Sequence, residues 1–139
     1  MRTIPIFCAL ITGALVICAC RNKAERDVRP DLVGWRPIGS WSGHGDAQTD
    51  SFEIESGEWR IKWATANEKP PGAGTFLVTV HSAVSGRPLS VALEHKGNGR
   101  GIAYVNEDPR LFHLVISSRA VDWSISVEES VVGKGQGPR

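Results

Sequence analysis

The sequence has no cysteine after position 20. Its three cysteines, Cys8, Cys18 and Cys20, all lie within the first twenty of 139 residues. Small exported domains often depend on disulfides for their stability, and a disulfide within the remainder is excluded here. We therefore expect the fold to rest on side-chain packing, and the last cysteine to be an attachment point rather than half of a bridge.

The sequence also lacks an excess of charge of either sign. It contains 16 lysines and arginines against 15 aspartates and glutamates, for a formal net charge of +1. Domains that bind nucleic acids usually carry a clear basic excess or a basic stripe. The balance argues against a general polyanion binder, and we expect no nucleic-acid partner. The 41% of hydrophobic residues is typical of a globular protein, and the length allows one domain.

The first twenty residues, MRTIPIFCALITGALVICAC, contain one basic residue and then an apolar run that ends before Arg21. These are the features of an export signal. The four residues ICAC at 17–20 resemble the bacterial lipobox, although Cys18 stands where that family has Ala, Ser or Thr. The resemblance implies that residues 1–19 are a lipoprotein signal peptide and that Cys20 is the lipid attachment site. The alternatives are an ordinary cleaved signal and a retained membrane helix.

The segments on either side of the remaining chain differ from it in composition. Residues 20–34 begin with the lipidated cysteine and continue as RNKAERDVRPDLVG, which is dense in charge and contains Pro30. This composition predicts a tether. The end of the chain, residues 129–139, is predicted to be a disordered tail, which leaves 35–128 as the folded domain.

Residues 35–128 alternate between apolar and polar side chains in short segments separated by turn residues. The segments are TDSFEIE, EWRIKWA, TFLVTVHS, LSVALEH, IAYVNE, LFHLVISS and RAVDWSISVEE. About seven or eight short strands at this spacing predict an all-β fold, an antiparallel sandwich or a barrel-like jelly roll. The alternation predicts that the inward side chains are Phe52, Ile54, Trp59, Ile61, Trp63, Phe76, Val78, Val80, Leu89, Val91, Leu93, Trp123, Ile125 and Val127. The pattern resembles small β-sandwich modules of exported bacterial proteins, which implies an architecture and not a chemistry.

The stretch GSWSGHGDAQTD, residues 39–50, holds the residue types of a hydrolase triad. In the lipase motif Gly-x-Ser-x-Gly the central residue is the nucleophile, and here that position is Trp41. Ser42, His44 and Asp46 alternate, so in an extended chain neighbouring members lie roughly 6.5–7 Å apart. A nucleophile and its base need heavy atoms about 3 Å apart. We therefore predict no catalytic site, and a bulge or bend at Gly43 and Gly45.

Two residues of the same stretch are the predicted binding residues. Trp41 lies among serines and glycines, where no apolar alternation supports burial, and an exposed indole can stack on a sugar or anchor a partner. His44 lies three residues further on. The alternative for the indole is a position folded over the edge of the sandwich.

Other groups of polar residues predict no further site. The four histidines, His44, His81, His95 and His113, have no short ligand spacing, so we expect no metal and no cofactor. Four cationic residues form a possible basic patch, but we expect them to pair with acids on neighbouring strands. The cations are Arg60, Lys62, Arg100 and Arg110, and the expected acids are Glu53, Glu55 and Glu58.

Together these features predict a binding or interaction module without enzymatic activity, lipid-anchored in the bacterial cell envelope and facing the periplasm or the exterior. Its expected partners are the membrane, through the anchor, and an envelope protein or a glycan. The alternatives are a small periplasmic hydrolase or metal-dependent enzyme built from separate loops, and a structural envelope component. A titratable cluster in a concave pocket would favour an enzyme, whereas an exposed aromatic patch would favour a binding module.

Overall fold

The computed structural model describes residues 33–132, which form nine strands in two antiparallel sheets packed as a sandwich. The strands are β1 (Val33–His44), β2 (Ala47–Gln48), β3 (Phe52–Ile54), β4 (Trp59–Ala66), β5 (Thr75–Ser82), β6 (Pro88–Lys96), β7 (Gly99–Val105), β8 (Arg110–Arg119) and β9 (Asp122–Val132). The predicted all-β antiparallel sandwich is confirmed. The described residues include no helix that could cross a membrane. The predicted signal peptide, Cys20 and nearly all of the predicted tether lie outside the described residues.

The two sheets have different strand orders. Sheet A has the order β1-β9-β4-β7. In sheet B the order is β6-β5-β8, and both β2 and β3 pair along the far side of β8. The chain passes from sheet A to sheet B directly after β1, at Gly45, whose φ of 84° is a conformation that glycine adopts without steric cost. The predicted bend is therefore found at Gly45, whereas the bulge in β1 lies between Pro37 and Gly39.

The core lies between the sheets and is built from the inward positions of the alternating segments. Of the predicted inward residues, ten are buried: Phe52, Ile54, Trp59, Ile61, Phe76, Val78, Val80, Trp123, Ile125 and Val127. Trp63, Leu89 and Leu93 are partly buried and pack against this core. Strand β8 adds Phe112, Leu114 and Ile116, all buried.

Val91 is the one predicted inward residue that points to solvent, and it is 61% exposed. In the β5–β6 ladder Val78 pairs with Leu93, but the next residue, Thr79, pairs with Val91. Ala92 is thus an extra residue in a β-bulge, and a second register shift follows at Leu89, so the alternation is reversed between the two shifts. The prediction for Val91 is wrong because a regular period of two cannot indicate a bulge.

The folded domain extends beyond the predicted limits of 35 and 128. Strands β1 and β9 pair along their whole length, from Val33 opposite Val132 to His44 opposite Asp122. Residues 129–132, predicted to belong to the disordered tail, are therefore the last part of β9. The apolar alternation does not indicate this part of the strand, because the inward position after Val127 is taken by the charged Glu129.

Candidate functional site

The outer face of sheet A carries serines on β1 and β9 and a mixture of small, cationic and apolar side chains on β4 and β7. The register places outward residues in two adjacent rows. Running from β1 to β7, one row is Ser42, Ser124, Ala64 and Arg100, and the other is Ser40, Ser126, Lys62 and Ile102. Because five of these eight side chains are serine or alanine, the backbone of the sheet lies close to the surface.

This surface contains a shallow groove that crosses the sheet. A depression of about 520 Å³ lies over β4, β7 and β9, with Lys62, Arg100 and Ile102 on its side. A smaller one of about 250 Å³ lies over β1 and β9. Both are lined by residues 124–126. The two depressions are therefore continuous, and we call them together the serine groove.

The hydroxyl groups on the floor of the serine groove differ in whether they hydrogen-bond to one another. Ser40 Oγ and Ser126 Oγ lie 3.0 Å apart and hydrogen-bond to each other. Ser42 and Ser124 face each other in the next row and are exposed. The floor thus offers hydroxyls that can both donate and accept hydrogen bonds.

An aromatic cluster stands beside the serine groove on the same face. The Arg60 guanidinium lies 4.0 Å from the centre of the Trp35 ring. The ring of Tyr104 is 6.0 Å from that of Trp35. Tyr104 follows Ile102 as the next outward residue of β7 and is 56% exposed, and Ile102 is 46% exposed. An exposed aromatic and apolar patch of this kind is typical of an interaction surface.

The cations of the face do not pair with the acids predicted from the sequence. Arg60 Nε donates to Glu128 Oε2 at 2.6 Å, and Lys62 Nζ lies 3.9 Å from the other oxygen of the same carboxylate. The predicted partners Glu53, Glu55 and Glu58 are wrong for these two cations, because the neighbours of β4 in sheet A are β7 and β9 and not β3.

Trp41, predicted as a binding residue, lines the smaller depression of the serine groove, but its side chain does not point outward. It pairs with Ile125 on the inward side of sheet A, and its ring packs 5.7 Å from that of Phe52. The ring also covers Gly39, where a Cβ atom would lie only 2.5 Å from it. Trp41 is thus partly buried against the core, as in the alternative of an indole folded over the sandwich.

His44 is exposed at one end of the sandwich. Its Nδ1 lies 2.9 Å from Asp122 Oδ1, and Asn67 donates a hydrogen bond to the other oxygen of this carboxylate at 2.8 Å. The hydrogen bond from Asn67, followed by that from His44, lowers the pKa of Asp122. These residues and Lys69 border a separate depression of about 420 Å³. The structure therefore does not bring His44 and Trp41 together.

The residue types of the triad-like stretch also do not converge. The Asp46 carboxylate accepts the backbone N–H of Ser118 at 2.9 Å, in sheet B. No hydrogen bond joins His44 to a serine hydroxyl within residues 33–132. The arrangement at this end of the sandwich is a histidine–aspartate pair whose imidazole has no serine nucleophile.

The remaining histidines are spread over the sandwich. His81 and His113 stack with ring centres 5.2 Å apart on the outer face of sheet B, and His95 packs against the ring of Trp63 at 4.7 Å. Among residues 33–132, no group of three or more His, Cys, Asp or Glu side chains is placed to hold a metal ion.

Comparisons with known proteins give one likeness of note. No family model and no curated protein matches the chain. Among solved structures, the chain is similar to the Clostridium thermocellum N-terminal endo-1,4-β-D-xylanase 10B, solved as its CBM22-1–GH10 modules in complex with xylohexaose. The two are 12% identical with a TM-score of 0.39, and the match covers 76% of this chain and 27% of the xylanase chain.

The serine groove was not found from the sequence. The sequence indicates Lys62 and Arg100 as members of a basic patch, but it does not single out Trp35 or the serines of β9. The one indication in the sequence is the segment DWSISVEE, in which the serines occupy every second position and alternate with apolar residues. That alternation predicts a polar face, and only the pairing of β1 with β9 brings four serine hydroxyls together as two adjacent pairs.

Proposed function

We propose that this chain is a binding module of the cell envelope that holds a polysaccharide chain in the serine groove. The observation that carries the proposal is the groove itself, with a hydroxyl floor and an exposed aromatic side chain beside it. Sugar rings present hydroxyls at their rims and C–H groups on their faces. The serines can hydrogen-bond to the sugar hydroxyls, and Tyr104 and Ile102 can make apolar contact with the C–H faces of the rings.

The dimensions of the groove suit an extended ligand. It crosses four strands, and strands in a sheet lie about 4.7–4.9 Å apart, so its length is about 14–15 Å. Long side chains would interrupt such a path, and along the two rows only Lys62, Arg100 and Ile102 are long, all on β4 and β7. An extended oligosaccharide can therefore lie across β1, β9 and β4 along the row of Ser42, Ser124 and Ala64 without displacing a side chain.

The chemistry of the groove supports binding rather than catalysis. Among the described residues that line it there is no histidine, carboxylate or cysteine. Glycoside hydrolysis generally needs a pair of carboxyl groups on either side of the bond that is cleaved. We therefore assign no reaction to this surface.

An anchored location is compatible with the position of the chain ends. Val33 and Val132 pair at one end of the β1–β9 ladder, so the described chain begins and ends at the same end of the sandwich. The serine groove lies on the side of the sandwich, nearer to the end formed by His44 and Asp122. A lipid at Cys20 would thus hold the domain by its far end and leave the groove accessible.

The test is to fill the groove and measure polysaccharide binding. Ser124 is exposed, lies on an interior strand of sheet A and lines both depressions. We expect Ser124→Trp to abolish retention on a panel of immobilised polysaccharides. The matched control is Ser117→Trp, since Ser117 is an exposed serine on an interior strand of sheet B. Equal retention of both variants, with wild-type melting temperatures, would exclude the serine groove as the binding surface.

A further inference from the structure

The charge in the serine groove has one sign, although that of the whole chain is balanced. Two cations line it, Lys62 and Arg100, and none of its described lining residues is an acid. A groove lined by charge of one sign concentrates field lines and attracts ligands of the opposite sign. The groove is therefore complementary to an anionic ligand.

Among the described residues, the neighbouring acids contact only one of these two cations, Lys62. No carboxylate within residues 33–132 forms an ion pair with Arg100. Lys62 is 3.9 Å from Glu128, but Glu128 accepts the shorter bond from Arg60 at 2.6 Å. Asp122 lies outside the groove, in the separate depression beside His44, and its carboxylate is hydrogen-bonded to Asn67 and His44. Both cations thus retain capacity for a ligand.

The two cations are placed to contact the same ligand. Lys62 pairs with Ile102, and Ala64, the next outward residue of β4, pairs with Arg100. Lys62 and Arg100 are therefore diagonal neighbours on adjacent strands, about 7–8 Å apart at their Cα atoms. A guanidinium binds a carboxylate or sulfate with two parallel hydrogen bonds, and a nearby ammonium adds charge without fixed geometry.

We propose that the ligand of the serine groove is an acidic polysaccharide, in which the hydroxyls contact the serines and the acidic groups contact Arg100 and Lys62. This inference rests on the proposed function and narrows its ligand class. Two cations in a chain of net charge +1 are too few to track a nucleic acid backbone, which requires a basic stripe. The hydroxyl floor instead suits a ligand in which neutral hydroxyls outnumber charges.

The test compares charged and uncharged forms of one polymer. We expect the protein to bind at least one of polygalacturonate, alginate and hyaluronate in isothermal titration. It should bind fully methyl-esterified homogalacturonan at least tenfold more weakly, because the ester removes the charge and keeps the backbone. Raising the sodium chloride concentration from 50 to 500 mM should weaken binding to the acidic polymer, since salt screens charges at an exposed site.

A variant at Arg100 tests whether the preference for the charged polymer arises in the serine groove. Arg100→Gln should weaken binding of the acidic polymer by about tenfold or more, since a guanidinium forms charge-assisted hydrogen bonds to an acidic group and a neutral amide does not. Arg119→Gln is the control, because Arg119 is an exposed cation at the end of β8 in sheet B, and it should bind as the wild type does.

The outcomes separate the two proposals. Equal binding of charged and esterified polymers, lost in Ser124→Trp but kept in Arg100→Gln, would overturn the acidic ligand and leave the polysaccharide groove standing. Binding of an oligothymidylate in preference to all three acidic polysaccharides would overturn the inference in favour of a nucleic acid. Binding of no polysaccharide at all would overturn both proposals.

Discussion

The carboxylate of Glu129 lies inside the sandwich and accepts a hydrogen bond from Arg36, its partner across the β1–β9 ladder. Glu129 is 2% exposed. Its second oxygen accepts the backbone N–H groups of Glu55 at 2.9 Å and Ser56 at 3.3 Å. One buried side chain thus connects the edge strand β1, the last strand β9 and the turn before β4. This network holds in place the strand that provides half of the serine floor.

Replacing Glu129 by Ala should therefore be strongly destabilising. The change leaves two backbone N–H groups without their acceptor, and an unsatisfied buried donor costs about 1–3 kcal/mol. The guanidinium of Arg36 is half exposed and can be hydrated by solvent, so most of the loss comes from the backbone groups. Glu55→Ala is the control, because Glu55 is exposed and lies 3.7 Å from the same Arg36. It should cost less than about 1 kcal/mol. Urea unfolding of both variants measures the difference, and similar losses would contradict this role for Glu129.

Two core tryptophans should respond differently to replacement by Phe. Trp123 Nε1 donates to the carbonyl oxygen of Gly45 at 2.9 Å, whereas the buried Nε1 of Trp59 has no hydrogen-bond partner in the described part of the chain. Trp59→Phe removes an unpaired N–H group, and Trp123→Phe removes a hydrogen bond. We expect Trp123→Phe to lower the free energy of unfolding by about 0.5–1.5 kcal/mol more than Trp59→Phe. The reverse order in denaturant unfolding would contradict the assignment.

The stability of the domain should depend on the protonation of His113. Burial, and then the positive charge of His81 stacked on it, lower the pKa of His113 below its usual value of about 6.5. The native state therefore disfavours the proton. The contribution of His113 to stability is fully present above about pH 6.5 and is lost as the pH falls from there through the lower pKa of the folded state.

Unfolding of the wild type and of His113→Gln at pH 8 and at pH 5 checks this dependence. The wild type should lose more stability than the variant between the two values, and the NMR titration of the His113 ring should have its midpoint below 6.5. An equal loss in both proteins, or a midpoint above 6.5, would contradict the assignment.

The anchor is tested by the chemistry of residue 20. If Cys20 is the lipid attachment site, Cys20→Ala should stop lipidation and processing, because the modified side chain is absent. Several acyl chains hold a protein firmly on a membrane, at about 0.8 kcal/mol per buried CH₂. We expect membrane partitioning and a lipidated amino terminus at residue 20 for the wild type by mass spectrometry. An unmodified terminus at another residue would exclude the anchor.

Much of the architecture could be predicted because burial on one face imposes a period of two. Phe76, Val78 and Val80 show it, and all three are buried. The prediction fails at Val91 because two register shifts in β6, at Ala92 and Leu89, reverse the faces between them, and no residue type marks either shift. The sequence also does not indicate strand β1, because its Gly, Ser and Pro residues conceal the alternation of apolar and polar side chains. This segment is held as a strand by its pairing with β9.

The candidate site was harder to predict because it depends on register. Ser42 and Ser124 are 82 positions apart in the chain, and only the pairing of β1 with β9 makes them neighbours. Trp41, in contrast, drew attention through its polar sequence neighbours. Those neighbours take the outward positions of the strand, and so its own side chain points inward.

The most direct test of the serine groove is a map of backbone amide chemical shifts during titration with an oligosaccharide of the polymer that binds best. We predict that the largest changes in the ¹⁵N-labelled protein fall on Ser42, Ser124 and Ser126 of sheet A and on Ile102 at its edge. Leu77 and Ser117 of sheet B should remain unchanged. Changes confined to sheet B, or to the depression around His44 and Lys69, would contradict the assignment of ligand binding to the serine groove.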